Sequence, residues 1–277
     1  MAATSLTVEH PAWVEHPGGR ARLMKTGSGT WLAAWSPKQG LGLTCVAGSE
    51  DVKPHVDSVS CEQLPAATEP ALVRELAGLG TVQRVSNPSL WDAVSTAILR
   101  QVVRAAQAKI VYARWCSLHG ETLDTTVGRL STVPQPQRVL ELPEEEFKAA
   151  GAAFHRTALL AAARAYLEHG VTWAALPAAE LVEALDAIPR IGPWTAKAAA
   201  ADFTGDFSVY PHGDLAVRTW AAKAAPEADW PSTDKTFEAA WRATAGGPRQ
   251  LHALTLLTLS WGSHVRTEHH GGTAPRT

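Results

Sequence analysis

A chain of 277 residues with 45% hydrophobic and 19% charged side chains has the composition of a globular protein, which excludes general disorder. Its formal net charge of −2 excludes a protein that attracts nucleic acid through a strongly basic surface. The three cysteines, Cys45, Cys61 and Cys116, are too few and too scattered for a disulfide framework or an iron–sulfur cluster. The sequence has neither a membrane-length apolar run nor a signal segment, so we expect a cytoplasmic protein with no membrane partner.

The first part of the chain predicts a small antiparallel β-sheet. Short apolar or mixed runs at Arg20–Lys25, Thr30–Trp35 and Leu41–Val46 are separated by segments rich in glycine, serine and proline, which favour turns. A helix is predicted at Pro70–Ala77. We therefore assign residues 1–86 to an N-terminal domain that is built on this sheet.

The pattern becomes almost entirely helical beyond Asn87. Apolar side chains recur at helical spacing along the first of these segments, at Trp91, Val94, Ile98 and Val102. The later predicted helices lie at Arg156–His169, which should end at Gly170, and at Ala178–Ala187, Leu215–Ala224, Thr233–Ala245 and Pro248–Trp261. The fold class is therefore α+β, and the helical remainder is divided into residues 87–205, residues 206–266 and a disordered tail, residues 267–277.

A tight turn between two predicted helices is the most informative segment. Pro189 ends the first helix, and Pro193 fits the first turn of the second helix, where its missing N–H costs nothing. We expect Gly192 to permit the tight turn. The amides around Gly192 and Thr195 then lie at a helix N-terminus, where a phosphate group binds favourably. An ordinary pair of packed helices is the alternative interpretation.

An isolated acid, Asp214, lies 22 residues beyond Gly192 and directly before a predicted helix. The simplest role for an aspartate in that place is to cap the helix N-terminus. A carboxylate is also the group that offsets the positive charge on a sugar while its glycosidic bond breaks. One aspartate can fill both roles.

These segments resemble the helix-hairpin-helix (HhH-GPD) DNA glycosylase superfamily, and within it the 3-methyladenine DNA glycosylase II (AlkA-type) branch. The resemblance rests on Ile188–Ala196, IPRIGPWTA, and Tyr210–Arg218, YPHGDLAVR, with a second match at Ser89–Ala105. It extends over about residues 85–262 and implies an HhH-GPD glycosylase core. It also implies a monomer that needs no cofactor, whose partner is double-stranded DNA with damaged bases and which is nucleoid-associated when it acts.

The resemblance implies specific roles. Asp214 would stabilise the oxocarbenium-like sugar and help to direct water. Trp194 stands where lyase-active members have a nucleophilic lysine, and Lys197 lies nearly one helical turn further, so the resemblance implies a monofunctional enzyme that leaves an abasic site. The resemblance also implies a base pocket lined by Trp194, Tyr210 and Trp261, and a DNA wedge formed by Gln101 and Val102. The implied phosphate contacts are Arg190, Gly192 and Thr195. The backbone carbonyls of Asp186, Ile188 and Ile191 would hold Na⁺ or K⁺ when DNA is bound.

Several alternatives stay open at the level of the sequence. Trp194 and Val102 are equally consistent with helix packing, and Arg100 and Arg104 with phosphate contacts or a solvated face. Arg190 stands where the superfamily usually has glycine, while Ala198 and Leu215 replace aromatic pocket residues of the branch. The resemblance implies alkylated bases as the substrates, and these departures leave two alternatives open: a glycosylase for deaminated, oxidised or mismatched bases, and a non-catalytic DNA-binding protein.

Overall fold

A computed structural model describes the backbone of residues 4–271 and the side chains as far as His264. The strands in this range are β1 (Thr4–Leu6), β2 (Val14–His16), β3 (Gly19–Lys25), β4 (Gly29–Ser36), β5 (Gly40–Gly48), β6 (Val56–Val59), β7 (Thr81–Val85), β8 (Thr122–Thr125) and β9 (Gly128–Ser131). The helices are α1 (Pro70–Ala77), α2 (Leu90–Leu99), α3 (Ala105–His119), α4 (Pro136–Glu141), α5 (Glu144–Ala149), α6 (Arg156–Trp173), α7 (Ala178–Asp186), α8 (Pro193–Thr204), α9 (Leu215–Ala224), α10 (Asp234–Thr244) and α11 (Pro248–Gly271). None of these helices combines the length and the apolarity that a bilayer crossing requires.

The chain folds into two compact units, each built from separate segments. The first unit comprises the described parts of Met1–Glu9, Val56–Arg84 and Tyr210–Thr277, and the second comprises His10–His55 and Val85–Val209. This division differs from the predicted boundaries, because β1 pairs in parallel with β7 and both belong with the C-terminal helices. Pairing between segments so distant in sequence leaves no local signal from which a boundary could be predicted.

The first unit contains a three-stranded sheet in the order β1-β7-β6 and a helical cluster centred on α11. Helix α11 packs against α1, α9 and α10 with a nearly continuous buried surface from Leu251 to Ser260. The polar groups on this helix are paired: the Trp241 indole donates to Thr255 Oγ1 at 3.0 Å, and Ser260 Oγ lies 2.8 Å from Thr7 Oγ1. The helix continues to Gly271, into the segment that was predicted to be a disordered tail, and residues 272–277 lie outside the described range.

The second unit contains the antiparallel sheet β2-β3-β4-β5, which confirms the predicted sheet, and a helical bundle around α2. All ten residues of α2 are buried, and this helix packs against α3, α6 and α8. The short hairpin of β8 and β9 had no counterpart in the sequence-based prediction. Helix α6 passes through Gly170 and ends at Trp173, so the expectation that Gly170 stops this helix was wrong. The buried Gly170 instead packs beneath the Tyr166 ring.

A buried polar network joins α2 to α8 within the second unit. The Asp92 carboxylate accepts hydrogen bonds from Arg22 Nη2 at 3.2 Å and from the Tyr112 hydroxyl at 3.0 Å. The Asn87 side-chain amide donates to Asp92 at 3.2 Å and also to Asp202, on α8, at 2.9 Å. Charged groups that are buried cost several kcal/mol unless they are paired in this way, so the network fixes the two helices in one register.

His10 lies against the same two carboxylates but is uncharged. Its Nδ1 accepts the Ala12 amide at 3.1 Å, so the proton of the neutral ring lies on Nε2, which faces Asp92 at 3.8 Å and Asp202 at 3.7 Å. Burial, together with the Arg22 guanidinium, lowers the pKa of His10 from 6.5 to about 3, against the opposing effect of the two carboxylates. The contacts with Asp92 and Asp202 are therefore dipolar at neutral pH.

The pKa of His10 makes the stability of the fold dependent on pH. Below pH 6.5 the unfolded chain binds a proton that the folded protein excludes down to about pH 3, so the free energy of unfolding falls as the pH falls through this window. We expect His10→Gln to remove a few kcal/mol of this pH dependence. Thermal melting from pH 7 to pH 4 measures the effect, and His169→Gln, at an exposed position, is the matched control. If the melting temperatures of wild type and His10→Gln fell by the same amount between pH 7 and pH 4, the prediction would be contradicted.

Candidate functional site

The hairpin between α7 and α8 folds as a tight turn, but its special residue is not the predicted one. Arg190 is exposed and has a left-handed backbone with φ of 72°. Gly192 has φ of −101° and ψ of 175°, which any residue adopts, so the expectation that this glycine permits the turn was wrong. Ile188 and Ile191 anchor the turn with buried side chains, and the Ile191 amide donates to the Ile188 carbonyl at 3.0 Å.

The N-terminus of α8 is accessible to a ligand from the Gly192 side. Gly192 is the N-cap and Pro193 occupies the first helical position, as predicted. A Cβ built on Gly192 would meet no atom within 4 Å, so the backbone here borders open space. The amides of a first helical turn have no partner within their own helix and lie at the positive end of the dipole. This is the geometry that binds phosphate through the backbone.

The turn between α2 and α3 presents an exposed apolar side chain. Val102 is 90% exposed and has φ of 57°. The alternative of a core valine is therefore wrong. A β-branched residue in the left-handed region is strained by about 1–2 kcal/mol, and here no buried contact compensates it.

Gln101 connects this turn to the hairpin. Its side-chain amide donates to Thr195 Oγ1 at 2.7 Å and to the Arg190 carbonyl at 3.3 Å. Thr195 is 3% exposed, so its hydroxyl faces Gln101 rather than solvent. The structure thus brings the predicted wedge and phosphate-contact residues together within one unit and gives Gln101 a bridging position, with Val102 at the tip.

Trp194 follows Pro193 on α8 and is half-buried. The Arg100 guanidinium lies over its ring, with Cζ 5.7 Å from the ring centroid. This distance is within the range of a cation–π interaction. Arg100 therefore contacts a neighbouring side chain rather than belonging to an entirely solvated face.

In the first unit, Asp214 is the N-cap of α9, as its position before a helix predicts. Its Oδ2 accepts the Ala216 amide at 3.3 Å, and the Tyr210 hydroxyl donates to the same oxygen at 3.3 Å. Tyr210 is 3% exposed, so its ring is a packed element below the carboxylate. Trp261 is half-buried on α11, and Leu215 is 71% exposed beside Asp214.

Gly213 is a part of this loop that sequence reasoning did not single out. A Cβ at Gly213 would lie 2.8 Å from the Asp234 carbonyl oxygen, closer than such contacts occur. The Asp214 amide also donates to the Pro211 carbonyl at 2.9 Å. The loop before Asp214 is therefore held against the start of α10 by a contact that only glycine allows.

The predicted cation site consists of backbone carbonyls at the hairpin. The Ile188 carbonyl already accepts the Ile191 amide, which uses one of its two lone pairs and leaves the second for an ion. Among the described residues, no group of three or more histidine, cysteine, aspartate or glutamate side chains forms a metal-binding cluster. The assignment of Na⁺ or K⁺ to Asp186, Ile188 and Ile191 stays a prediction.

Comparison with solved structures identifies proteins that share this fold. No family model and no curated protein matches the sequence. A structure of MBOgg1 in complex with a low-affinity DNA ligand matches at 14% identity and a TM-score of 0.69, over 94% of this chain and 90% of that chain. The 3-methyladenine DNA glycosylase of Archaeoglobus fulgidus matches at 16% identity and a TM-score of 0.68, over 93% and 92% of the two chains. The 8-oxoguanine glycosylase/lyase of Clostridium acetobutylicum, in its apo form, matches at 14% identity and a TM-score of 0.65, over 91% and 89%.

The chain has the fold of the helix-hairpin-helix DNA glycosylases. The predicted fold class, with an antiparallel sheet followed by a mainly helical core, is confirmed. Proteins named for 3-methyladenine and for 8-oxoguanine match it about equally well. The fold therefore does not indicate a substrate.

We predict that Val102→Gly does not destabilise the protein, although it removes a whole side chain. Glycine relieves the left-handed strain but enlarges the entropy of the unfolded chain, so we expect the variant to be neutral or up to about 1 kcal/mol more stable. Val171→Gly is the matched control, because Val171 is 93% exposed within α6, where replacing valine with glycine costs about 0.3–0.5 kcal/mol. Chemical denaturation of both variants measures the difference. Equal destabilisation of the two would show that Val102 is not strained.

Proposed function

We propose that the protein is a monofunctional DNA glycosylase that removes damaged bases from duplex DNA during base excision repair and leaves an abasic site. The observation that carries the proposal is Asp214, a carboxylate held by Tyr210 and Ala216 on the segment that resembles the catalytic segment of the superfamily. The HhH-GPD glycosylase fold and the phosphate-binding geometry at Gly192 support it. We take the protein to act as a monomer, without a resident cofactor.

The proposed binding step uses the second unit. The backbone amides of Gly192 and Thr195 in the first turn of α8, together with the exposed Arg190 of the hairpin, bind a backbone phosphate, which needs no net positive charge on the protein. Val102 enters the duplex beside the flipped nucleotide and offsets part of the cost of unstacking. Gln101 holds the Val102 turn to the hairpin, so that one rigid surface contacts the DNA.

The proposed chemical step uses Asp214. The N-glycosidic bond breaks, the base departs with the bonding electron pair, and the sugar acquires oxocarbenium character that the carboxylate stabilises. Water then adds to the anomeric carbon and loses its proton, with Asp214 as the nearest base in this scheme. Trp194 has no nucleophilic nitrogen for a Schiff base, so the DNA strand stays intact.

We expect Asp214→Asn to bind DNA but to release little base. Loss of the charge should lower the single-turnover rate of base release by about 100-fold or more, while affinity for duplexes with an abasic-site analogue stays within about threefold. Asp229→Asn, an exposed aspartate of the same unit, is the control. Free base, strand cleavage and binding are measured on the same duplexes. Equal base release by wild type and Asp214→Asn would reject the assignment, and strand cleavage at the lesion without added alkali would reject the monofunctional mechanism.

Alkylated purines are the proposed substrate class, because an electron-rich ring such as Trp194 attracts a cationic base. One observation favours a second candidate, a glycosylase for neutral deaminated or oxidised bases. The Arg100 guanidinium already lies over Trp194 and would repel a second cation. The choice between the two classes therefore depends on whether Trp194 or Arg100 dominates the recognition of the base.

A lesion panel with an Arg100 variant decides between the two classes. We expect Arg100→Gln to raise the release of cationic 7-methylguanine relative to neutral hypoxanthine by about tenfold, because a nearby like charge disfavours a cation. Base release from methylated, deaminated and oxidised duplexes is measured for wild type and variant. Arg104→Gln, an exposed arginine of the same unit, is the control. An unchanged ratio would show that Arg100 does not influence which bases are removed, and no release from any duplex would favour a non-catalytic DNA-binding protein.

A further inference from the structure

We propose that Tyr210 is a positioning residue for Asp214 and that its hydroxyl, rather than its ring, is the group that matters for the reaction. This inference rests on the proposed glycosylase function and assigns a role that differs from the base-pocket contact implied by the resemblance. Its basis is the hydrogen bond of 3.3 Å from the Tyr210 hydroxyl to Asp214 Oδ2.

The position of the ring argues against direct contact with a base. Tyr210 is 3% exposed and belongs to the same compact unit as Asp214. The two residues are separated by Pro211, His212 and Gly213, a loop whose backbone is closed by the bond from the Asp214 amide to the Pro211 carbonyl. The ring is buried and the hydroxyl donates to the carboxylate, which leaves the ring with a packing role and the hydroxyl with a polar one.

The hydroxyl supplies a constraint that the helix cap alone does not. The Ala216 amide and the Tyr210 hydroxyl each lie 3.3 Å from Oδ2, a distance beyond the usual range of an N–H···O or an O–H···O bond, so neither contact alone holds the carboxylate firmly. A second donor on the same oxygen restricts rotation about the terminal torsion of the side chain. The Tyr210 hydroxyl thereby helps to set the plane of the carboxylate, and with it the direction of Oδ1.

This constraint matters because stabilisation of a developing charge depends on preorganised geometry. A carboxylate that rotates must be reoriented during each reaction, whereas a fixed one acts without that cost. Hydrogen bonds donated to a carboxylate also stabilise its ionised form, which is the form that a cationic sugar requires. Tyr210 therefore acts through Asp214, without itself touching the DNA.

Tyr210→Phe tests the inference, because it removes the hydroxyl and keeps the buried ring. Tyr166→Phe is the matched control, since Tyr166 is a partly buried tyrosine of the other unit that packs near Trp91. Single-turnover base release, affinity for abasic-site duplexes and thermal melting are measured for wild type, both variants and Asp214→Asn. We expect Tyr210→Phe to lower the rate of base release about tenfold, with affinity within about twofold of wild type, because one bond to a charged group is lost.

Wild type, the two tyrosine variants and Asp214→Asn together distinguish a positioning role of Tyr210 from a purely structural one and from failure of the proposed function. A loss of rate without loss of affinity or melting temperature, in Tyr210→Phe but not in Tyr166→Phe, supports the positioning role. The positioning role is overturned if Tyr210→Phe releases base at the wild-type rate, or if its rate falls only to the extent that its melting temperature falls. The function proposed for Asp214 stands in both cases. Base release that is absent from wild type, or equal in wild type and Asp214→Asn, rejects the proposed function and the role of Tyr210 with it.

Discussion

One buried carboxylate, Asp92, determines how the second unit is assembled. It accepts hydrogen bonds from Arg22 on β3, from Tyr112 on α3 and from Asn87, which also binds Asp202 on α8. Because a buried ion without partners is strongly unfavourable, each of these elements is held to the register in which the carboxylate is satisfied. The Val102 turn directly follows α2, and the hairpin directly precedes α8. The network therefore fixes the helices from which both proposed DNA-binding turns extend.

This rigidity explains how two strained turns persist side by side. Val102 and Arg190 are the non-glycine residues with positive φ in the described chain, and they lie in the two turns that Gln101 connects. Such backbone strain survives only where the surrounding structure determines the conformation. The buried helices α2 and α8 on one side and the hydrogen bonds of Gln101 on the other fix both turns in these conformations. Both strained residues, Val102 and Arg190, are exposed, so their side chains face solvent rather than the protein core.

The sequence predicts those parts of the molecule that local chemistry controls. Alternation and turn residues locate β3, β4 and β5, and an aspartate before a helical run locates the cap at Asp214. The parallel pairing of β1 with β7 and the partners of Asp92 are long-range contacts, so no window of the sequence reveals them. The hairpin shows the limit within a single motif. Glycine statistics point to Gly192, but the left-handed residue is Arg190, because the surrounding packing overrides local preference.

The proposed base-release reaction and the choice of base depend on different residues. A fold shared with proteins named for 3-methyladenine and for 8-oxoguanine must obtain its preference from side chains that differ among them. Arg190, Ala198 and Leu215 are among the departures of this chain from the AlkA-type pattern, and none of these three alters the cap at Asp214. The carboxylate is held by a buried tyrosine and a helix N-terminus, which depend on the fold, whereas Trp194 meets an arginine that sits on a turn. Under the proposed function, substitutions near Trp194 therefore change which base is removed, while Asp214 keeps the position that the tyrosine and the helix N-terminus give it.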